Sequence, residues 1–134
     1  MPIPFNGLYW SVSHKSDIVC GVVAKDPVGI DVEKKKKVSD ALFSKIIDSD
    51  ERGLFGDQER LLVFFRAFTA KEAVLKKTGI GIKGLSKARI DTVVDNTHLI
   101  VGFEGNQILV EHYYLNEYIA SVTKDLWDVQ WTMG

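Results

Sequence analysis

Val28-Gly29-Ile30-Asp31-Val32-Glu33 is the stretch that decides how this chain folds, because it alternates apolar and polar side chains in the manner of a β-strand. Successive side chains of a strand point to opposite faces, so Gly29, Asp31 and Glu33 share one face. The two carboxylates therefore leave the strand on the same side, roughly 7 Å apart along it. They form either the solvent-exposed face of the strand or part of a cation site.

A second segment, Phe68-Thr-Ala-Lys-Glu-Ala-Val-Leu-Lys76, lies in a predicted long helix. Its apolar side chains recur at the three- and four-residue spacing of an α-helix and form one stripe: Leu61, Phe64, Phe65, Phe68 and Leu75. Glu72 falls within this stripe, where a carboxylate is costly unless a positive charge pairs with it. A metal ion is one explanation, and an ion pair is the other. The candidate basic partners are Lys71, Lys76 and Arg66.

The ends of this helix carry start and stop signals. Asp57 is the predicted N-cap, because its side chain can accept hydrogen bonds from exposed backbone N–H groups. Lys76 and Lys77 fall in the last turn, and Gly79 follows as the stop signal. The glycine-interrupted segment 78–84 is predicted to be a loop, since its glycine spacing matches neither a P-loop nor a dinucleotide-binding fingerprint.

Length and composition limit the classes of protein to consider. With 134 residues, 46% of them hydrophobic, the chain suits a single domain over residues 1–134. A net charge of −1 excludes a globally basic nucleic-acid binder. No signal peptide is evident, and the longest apolar run, Ile18–Ala24, is too short to span a bilayer. The one cysteine, Cys20, allows no internal disulfide, so a reducing cytoplasmic location is expected.

The remaining pattern predicts an α+β fold, with an antiparallel sheet packed against one long helix and one or two short helices. An alternating strand from Leu8 to His14 precedes Ile18–Ala24, which we expect to be a central strand covered on both faces. A short helix is predicted to follow Ser39, its N-cap. Five further strands are predicted, separated by hairpin turns: Arg89–Val94, Thr97–Phe103, Gln107–Tyr114, Tyr118–Thr123 and Trp127–Trp131.

Three acids with a neighbouring lysine are typical of a magnesium site. Mg²⁺ favours oxygen ligands such as Asp31, Glu33 and Glu72, and substrate phosphates commonly complete its coordination. Zinc is disfavoured, because the only thiol lies in an apolar run and no histidine pair has ligand spacing. A three-stranded meander would bring His14 near the acidic strand if the register allowed it. The residues therefore predict a magnesium-assisted site for a phosphate-bearing ligand.

Three short motifs occur in a fixed order along the chain. Ser13-His14 comes first, Gly29-Ile-Asp-Val-Glu33 second and Lys71-Glu-Ala-Val-Leu-Lys76 third. This ordered set resembles the 4'-phosphopantetheinyl transferase superfamily, and the segment Gly79–Gly84 is similar to the family's segment after the motif helix. The resemblance extends from Trp10 to Val122 and implies a 4'-phosphopantetheinyl transferase-like fold.

The position of Ser13-His14 before the acidic strand distinguishes two classes of that family. The order here is similar to that in the C-terminal half of the larger, two-half class, which serves peptide and polyketide synthases. The chain thus resembles that half standing alone. Because coenzyme A lies in the cleft between the halves in that class, the resemblance implies that a second copy fills the missing side. The expected assembly is a homo-oligomer, either a dimer or a trimer.

The resemblance also implies a role for each matched residue. Asp31, Glu33 and Glu72 would be the Mg²⁺ ligands, with the ion bridging the pyrophosphate of coenzyme A. Lys76 would neutralise or protonate the leaving oxygen. The expected contacts to coenzyme A come from Ser13, His14 and Lys71.

The implied activity is that of a holo-[acyl-carrier-protein] synthase. A serine hydroxyl of an apo acyl or peptidyl carrier protein attacks the phosphate that bears pantetheine in coenzyme A, and adenosine 3',5'-bisphosphate leaves. Glu72 or a metal-bound water would accept the serine proton, and both stay open. The basic run Lys34–Lys37 is either a solvated turn or a surface that attracts acidic carriers. Two alternatives remain, a coenzyme A-binding module without transfer activity and a magnesium-dependent phosphate-ester hydrolase.

Overall fold

The computed structural model describes residues 7–125 and 127–133, which form two antiparallel sheets and three α-helices. The strands are β1 (Tyr9–Lys15), β2 (Ile18–Ala24), β3 (Ile30–Lys34), β4 (Arg89–Val93), β5 (His98–Phe103), β6 (Asn106–Leu115) and β7 (Tyr118–Lys124). The helices are α1 (Asp40–Ile46), α2 (Ser49–Leu54), α3 (Arg60–Thr78) and a 3-10 helix, Ile82–Lys87. Strands β1 and β2 pair with each other, and the larger sheet has the order β3-β7-β6-β5-β4. The α+β class is confirmed.

Helix α3 packs on one face of the larger sheet and supplies much of the core. Its fully buried side chains include Val63 and Val74, which belong to the same cluster as Leu99 of β5 and Val110 of β6. Burying a side chain of this kind contributes about 1.5–3 kcal/mol relative to leaving it exposed. The predicted apolar stripe of α3 is confirmed, since its members are buried or half-buried against this cluster. No helix in the described part of the chain is both long and apolar enough to cross a bilayer.

Helix α3 ends where it was predicted to end, but it begins at a different capping residue. The N-cap is Glu59 rather than Asp57, because the Glu59 carboxylate accepts hydrogen bonds from the first-turn N–H groups of Leu61 and Leu62, each at 3.0 Å. Gly79 ends the helix as predicted, with a φ of 76° that an L side chain rarely adopts. The following segment, predicted as a loop, runs into the 3-10 helix at Ile82.

The two short helices are each started by a capping side chain. Ser39 accepts a hydrogen bond from Leu42 N at 3.2 Å and begins α1, as predicted. Helix α2 was not predicted, because Asp48 and the polar residues after it resemble a turn. Asp48 and Glu51 form a reciprocal capping box, in which each side chain accepts a hydrogen bond from the other's backbone N–H.

Gly29, just before β3, lets α3 lie directly against the edge of the sheet. A Cβ atom on Gly29 would be 1.9 Å from Ala73 O and 2.6 Å from Lys77 N of α3. Any side chain there would push the helix away from the strand. Gly29 is held from the other side as well, since its N–H donates to Thr123 Oγ1 at 3.0 Å. The glycine therefore brings the acidic strand next to the part of α3 that carries Glu72 and Lys76.

The prediction that Ile18–Ala24 is a central strand covered on both faces is wrong. The segment is a strand, but within the described residues it pairs only with β1, and Val19 and Val23 on its outer face are 73% and 64% exposed. Its other face, which carries Cys20 and Val22, packs on a small cluster with Val28, Ile30 and Val122. Among residues 7–125 and 127–133, side chains of this chain therefore cover the inner face of the apolar run but not its outer face.

The predicted strand Trp127–Trp131 is also wrong. These residues pair with no strand in the described parts of the chain and form a tail without regular secondary structure. Trp131 Nε1 donates to Glu111 Oε2 at 2.6 Å, and the Trp131 ring stacks on Tyr113 with the ring centroids 5.0 Å apart. The alternating apolar residues of the tail thus pack on the larger sheet without joining it.

Candidate functional site

Asp31 lies where β1, β3 and α3 meet, and it is only 4% exposed. Its Oδ1 accepts a hydrogen bond from Ser13 Oγ of β1 at 3.3 Å, and it also lies 3.3 Å from Lys76 Nζ of α3. Its Oδ2 is buried and has no hydrogen-bond partner among the described residues. A buried carboxylate oxygen without a partner is costly, so this atom marks a place where a further positive group would fit.

Two serines of β1 fix the acidic strand in place. Ser13 Oγ accepts a hydrogen bond from Val32 N at 3.1 Å, and Ser11 Oγ accepts one from Ile30 N at 3.1 Å. Both serines are buried, because alternate residues of β1 face β3. Ser13 therefore both supports the backbone of β3 and orients the carboxylate of Asp31.

Glu33 lies two residues after Asp31 on the same face of β3, and it forms an ion pair with a lysine that was not predicted to be its partner. Lys15 Nζ is 3.2 Å from Glu33 Oε1, and the Glu33 side chain is largely buried. The period-two spacing of Ser11, Ser13 and Lys15 places all three on the same face of β1, but it does not indicate which strand that face meets. The pair supplies a second positive charge at the site.

Glu72 lies on the half-buried side of α3, and none of its expected basic partners forms an ion pair with it. Lys71 pairs with Glu51, Lys76 pairs with Asp31, and the guanidinium of Arg66 donates to Asp95 O and to Gln58 Oε1. In the described part of the chain, the carboxylate of Glu72 therefore keeps its oxygens available. This removes the structural ion pair as an explanation for its place in the apolar stripe.

The three carboxylates share one electrostatic environment. Burial and then the negative charge of Glu33 raise the pKa of Asp31 to about 8, although Lys76 acts in the opposite direction. The pKa of Glu72 is also raised, first by burial and then by Glu33, with Lys76 and Lys15 opposing the shift. Like charges in a partly desolvated site produce this pattern.

The acidic side chains of this site do not form a complete metal-binding group in their present conformations. Across residues 7–125 and 127–133, no three acidic, histidine or cysteine side chains are close enough together to hold a metal ion. The free Oδ2 of Asp31 and the available carboxylate of Glu72 nevertheless offer the hard oxygen donors that Mg²⁺ prefers. Their chemistry fits that ion, provided that side chains rotate toward it.

Two of the predicted cofactor-binding residues lie outside this group. His14 is exposed on the outer face of β1, opposite to Ser13, and pairs across the hairpin with Val19. Lys71 is buried, with its Nζ 2.9 Å from Glu51 Oε2 and 2.5 Å from Ile46 O. The structure thus brings together Ser13, Asp31, Glu33, Glu72 and Lys76, but neither His14 nor Lys71.

Comparison with known proteins assigns the chain to a family. The family model described as the 4'-phosphopantetheinyl transferase superfamily matches residues 27–123, which include β3 and all of α3. The chain belongs to the 4'-phosphopantetheinyl transferase superfamily. The match includes Asp31, Glu33, Glu72 and Lys76, whereas Ser13 and His14 lie before it.

Several known proteins are similar to the chain over part of their length. Enterobactin synthase component D of Salmonella typhimurium is 34% identical over 106 residues, which are 73% of this chain and 44% of that protein. The 4'-phosphopantetheinyl transferase psf-1 of Bacillus pumilus is 37% identical over 82 residues, 58% of this chain and 35% of that protein. The 4'-phosphopantetheinyl transferase HetI of Nostoc sp. is 34% identical over 91 residues. The chain spans less than half the length of these relatives.

Proposed function

We propose that this chain catalyses the magnesium-dependent transfer of 4'-phosphopantetheine from coenzyme A to a serine of an acyl or peptidyl carrier protein. The observation that carries the proposal is the meeting of Lys76 Nζ with Asp31 Oδ1, 3.3 Å apart, beside Glu33 and Glu72. An acidic cluster with lysines at its edge suits a divalent ion together with a phosphate ester. Membership of the transferase superfamily supports the same reaction.

Asp31, Glu33 and Glu72 are the residues that would hold Mg²⁺. Two observations on the described residues support this assignment: Asp31 Oδ2 has no hydrogen-bond partner there, and the lysines and arginine expected near Glu72 pair with other groups. When bound, the ion would offset negative charge on the phosphates of coenzyme A. Lys76 opposes the upward pKa shifts of Asp31 and Glu72, and Lys15 opposes that of Glu72.

Glu72 and Lys76 have complementary parts in the reaction. Glu72 accepts the proton of the carrier serine, whose oxygen forms a new bond to the phosphorus that bears pantetheine. The bond from that phosphorus to the bridging oxygen breaks, and adenosine 3',5'-bisphosphate departs with the bonding electron pair. Lys76 neutralises the charge on the departing oxygen. Because Glu72 and Lys76 lie one helical turn apart, both side chains serve the same pocket.

We also propose that the carrier protein approaches beside the basic run Lys34–Lys37. Lys36 and Lys37 are exposed, while Lys34 pairs with Glu117 on the surface. Exposed lysines next to the acidic strand would attract an acidic partner by a contact that weakens with salt. A homo-oligomer, dimer or trimer, would close the side of the site that one chain leaves open.

The test is transfer to a purified apo carrier protein. The chain is incubated with Mg²⁺, coenzyme A and the carrier, and intact-mass spectrometry then looks for the added phosphopantetheine. Modified carrier supports the transferase. Free phosphopantetheine with unmodified carrier would instead indicate a hydrolase, and bound coenzyme A with no product would indicate a binding module.

A further inference from the structure

Lys15 faces the acidic site, but the reaction described above gives it no part. Its Nζ lies 3.2 Å from Glu33 Oε1, and its side chain is 42% exposed, whereas that of Glu33 is only 14% exposed. Strand alternation puts Lys15 on the same face of β1 as Ser13, whose hydroxyl donates to Asp31. Lys15 thus reaches from the solvent, where any substrate arrives, to a largely buried carboxylate of the site.

Two lysines from different elements flank the acids. Lys76 of α3 lies 3.3 Å from Asp31 Oδ1, and Lys15 of β1 holds Glu33. Both ammonium groups oppose the rise in the pKa of Glu72, so their charges also act on the third carboxylate. Asp31 is 4% exposed, and its Oδ2 has no partner among the described residues, which marks the place of a further cation. The lysines therefore neutralise part of an acidic group that can also take a metal ion.

The net charge of this group changes sign when a divalent ion enters. The three carboxylates, when ionised, and the two ammonium groups together leave one net negative charge, which repels a phosphate. A bound Mg²⁺ converts this to one net positive charge, which attracts a phosphate. Without Lys15 the metal-loaded group would be neutral. Lys15 therefore supplies the charge by which the loaded site attracts an anion.

We propose that Lys15 exchanges its partner on ligand binding: it holds Glu33 in the free chain, and it turns to a phosphate oxygen of coenzyme A when a divalent ion takes that carboxylate. An ion bound to Glu33 repels the ammonium group beside it. The side chain is exposed enough to move on its flexible four-carbon stem, and an ammonium group binds phosphate as a point charge. This inference rests on the proposed function, because it adds a substrate contact to that site.

The exchange gives Lys15 opposite effects on the two ligands. In the free chain its ammonium group competes with a divalent ion for Glu33, so it weakens metal binding. In the metal-loaded chain the same group strengthens coenzyme A binding through a charge-assisted contact to phosphate. A lysine that served only to neutralise Glu33 would not favour an anion. Opposite changes in the two affinities therefore distinguish a substrate contact from a structural ion pair.

Two affinities of Lys15→Gln test the proposal, because glutamine keeps a hydrogen-bond donor for Glu33 but carries no charge. Electron paramagnetic resonance measures free Mn²⁺, which prefers the same oxygen ligands as Mg²⁺. The affinity of the variant for Mn²⁺ alone should be higher than that of the wild type by about threefold or more. Calorimetry with saturating Mg²⁺ should show that its coenzyme A affinity is lower by about tenfold or more. Lys15→Arg keeps the charge and should bind coenzyme A like the wild type.

Lys45→Gln is the matched control, because Lys45 is exposed in the last turn of α1, which carries none of the site residues, and it should change neither affinity. An unchanged coenzyme A affinity in Lys15→Gln, or affinities for Mn²⁺ and coenzyme A that fall together, would overturn the proposal. A wild-type chain that shows the expected differences from Lys15→Gln but transfers nothing would contradict the proposed function and leave the role of Lys15 intact. A wild-type chain whose coenzyme A binding ignores Mg²⁺ would overturn both.

Discussion

A Cβ atom on Gly29 would lie 1.9 Å from the carbonyl oxygen of Ala73, so the acidic strand and α3 are in direct backbone contact. The contact explains in physical terms why a glycine comes two residues before Asp31. Every other residue type would separate the strand that carries Asp31 and Glu33 from the helix that carries Glu72 and Lys76.

Gly29→Ala should therefore destabilise the protein strongly. The added methyl group meets rigid helix backbone, so we expect a loss of about 3 kcal/mol or more in the free energy of unfolding, measured with urea. Gly53→Ala in α2 is the matched control, because a Cβ there meets nothing within 4 Å and alanine favours a helix. Equal stabilities of the two variants would contradict the close contact.

Lys71→Met should affect stability rather than coenzyme A binding. The ammonium of Lys71 is buried against Glu51 and Ile46 O, and its removal leaves a buried carboxylate without its cation. Breaking one side of such a pair costs about 3–5 kcal/mol. Unfolding in urea measures this cost, and calorimetric titration at a temperature where the variant is folded measures coenzyme A affinity. A variant of normal stability that has lost coenzyme A binding would place Lys71 in the site instead.

His112 should make the protein less stable as the pH falls below neutrality. Its Nδ1 lies 2.7 Å from Ser121 Oγ under α3, and burial, followed by the positive charge of Arg66 and of His98, lowers the pKa of His112 well below 6.5. At acidic pH the unfolded chain therefore binds a proton at His112, whereas the folded chain keeps His112 neutral. Stability is therefore full above about pH 6.5 and decreases below it, by up to about 1.4 kcal/mol per pH unit.

The check for His112 compares urea unfolding at pH 7.5 and pH 5.5. His112→Gln removes the titrating group, so its stability should decrease less over this interval than that of the wild type, by about 1 kcal/mol. Parallel losses in the two proteins would show that other groups cause the acid sensitivity.

Magnesium should strengthen coenzyme A binding through Asp31. We expect the coenzyme A affinity of the wild type, measured by calorimetry, to rise when Mg²⁺ is added. In Asp31→Asn this magnesium-dependent gain in affinity should be smaller by a factor of about ten or more. Asp91→Asn is the control, because Asp91 lies exposed on the far strand β4, where its carboxylate accepts a hydrogen bond from Gln107 of β6. A full magnesium effect in Asp31→Asn would remove Asp31 from the proposed ligand set.

Local patterns predicted most of the fold. The alternation around Asp31, the apolar stripe of α3 and the stop signal at Gly79 were sufficient to predict β3 and α3. Burial of one side of a strand or helix imposes these sequence periods directly. The exposure of the outer face of β2 was missed for a physical reason. A run of β-branched residues has the same sequence pattern whether both faces of the strand are buried or one face is exposed to solvent, as it is at Val19 and Val23.

The candidate site was predictable only in part. Strand alternation placed Asp31 and Glu33 together, and helical spacing placed Glu72 near Lys76. Lys71 precedes Glu72 in the chain but lies about 100° around the helix axis, and the fold turns it toward Glu51 of α2. The pairing of Lys15 with Glu33 depended on how β1 crosses β3, which no local pattern specifies.

Transfer by a chain altered only at Glu72 tests the central claim most directly. Glu72→Gln keeps the size of the side chain but removes its charge, and Glu104→Gln changes an exposed acid in the turn between β5 and β6. The account predicts that intact-mass spectrometry of the carrier shows transfer at the parental rate for Glu104→Gln and a rate reduced by about a hundredfold or more for folded Glu72→Gln. Transfer by Glu72→Gln at the parental rate would contradict it.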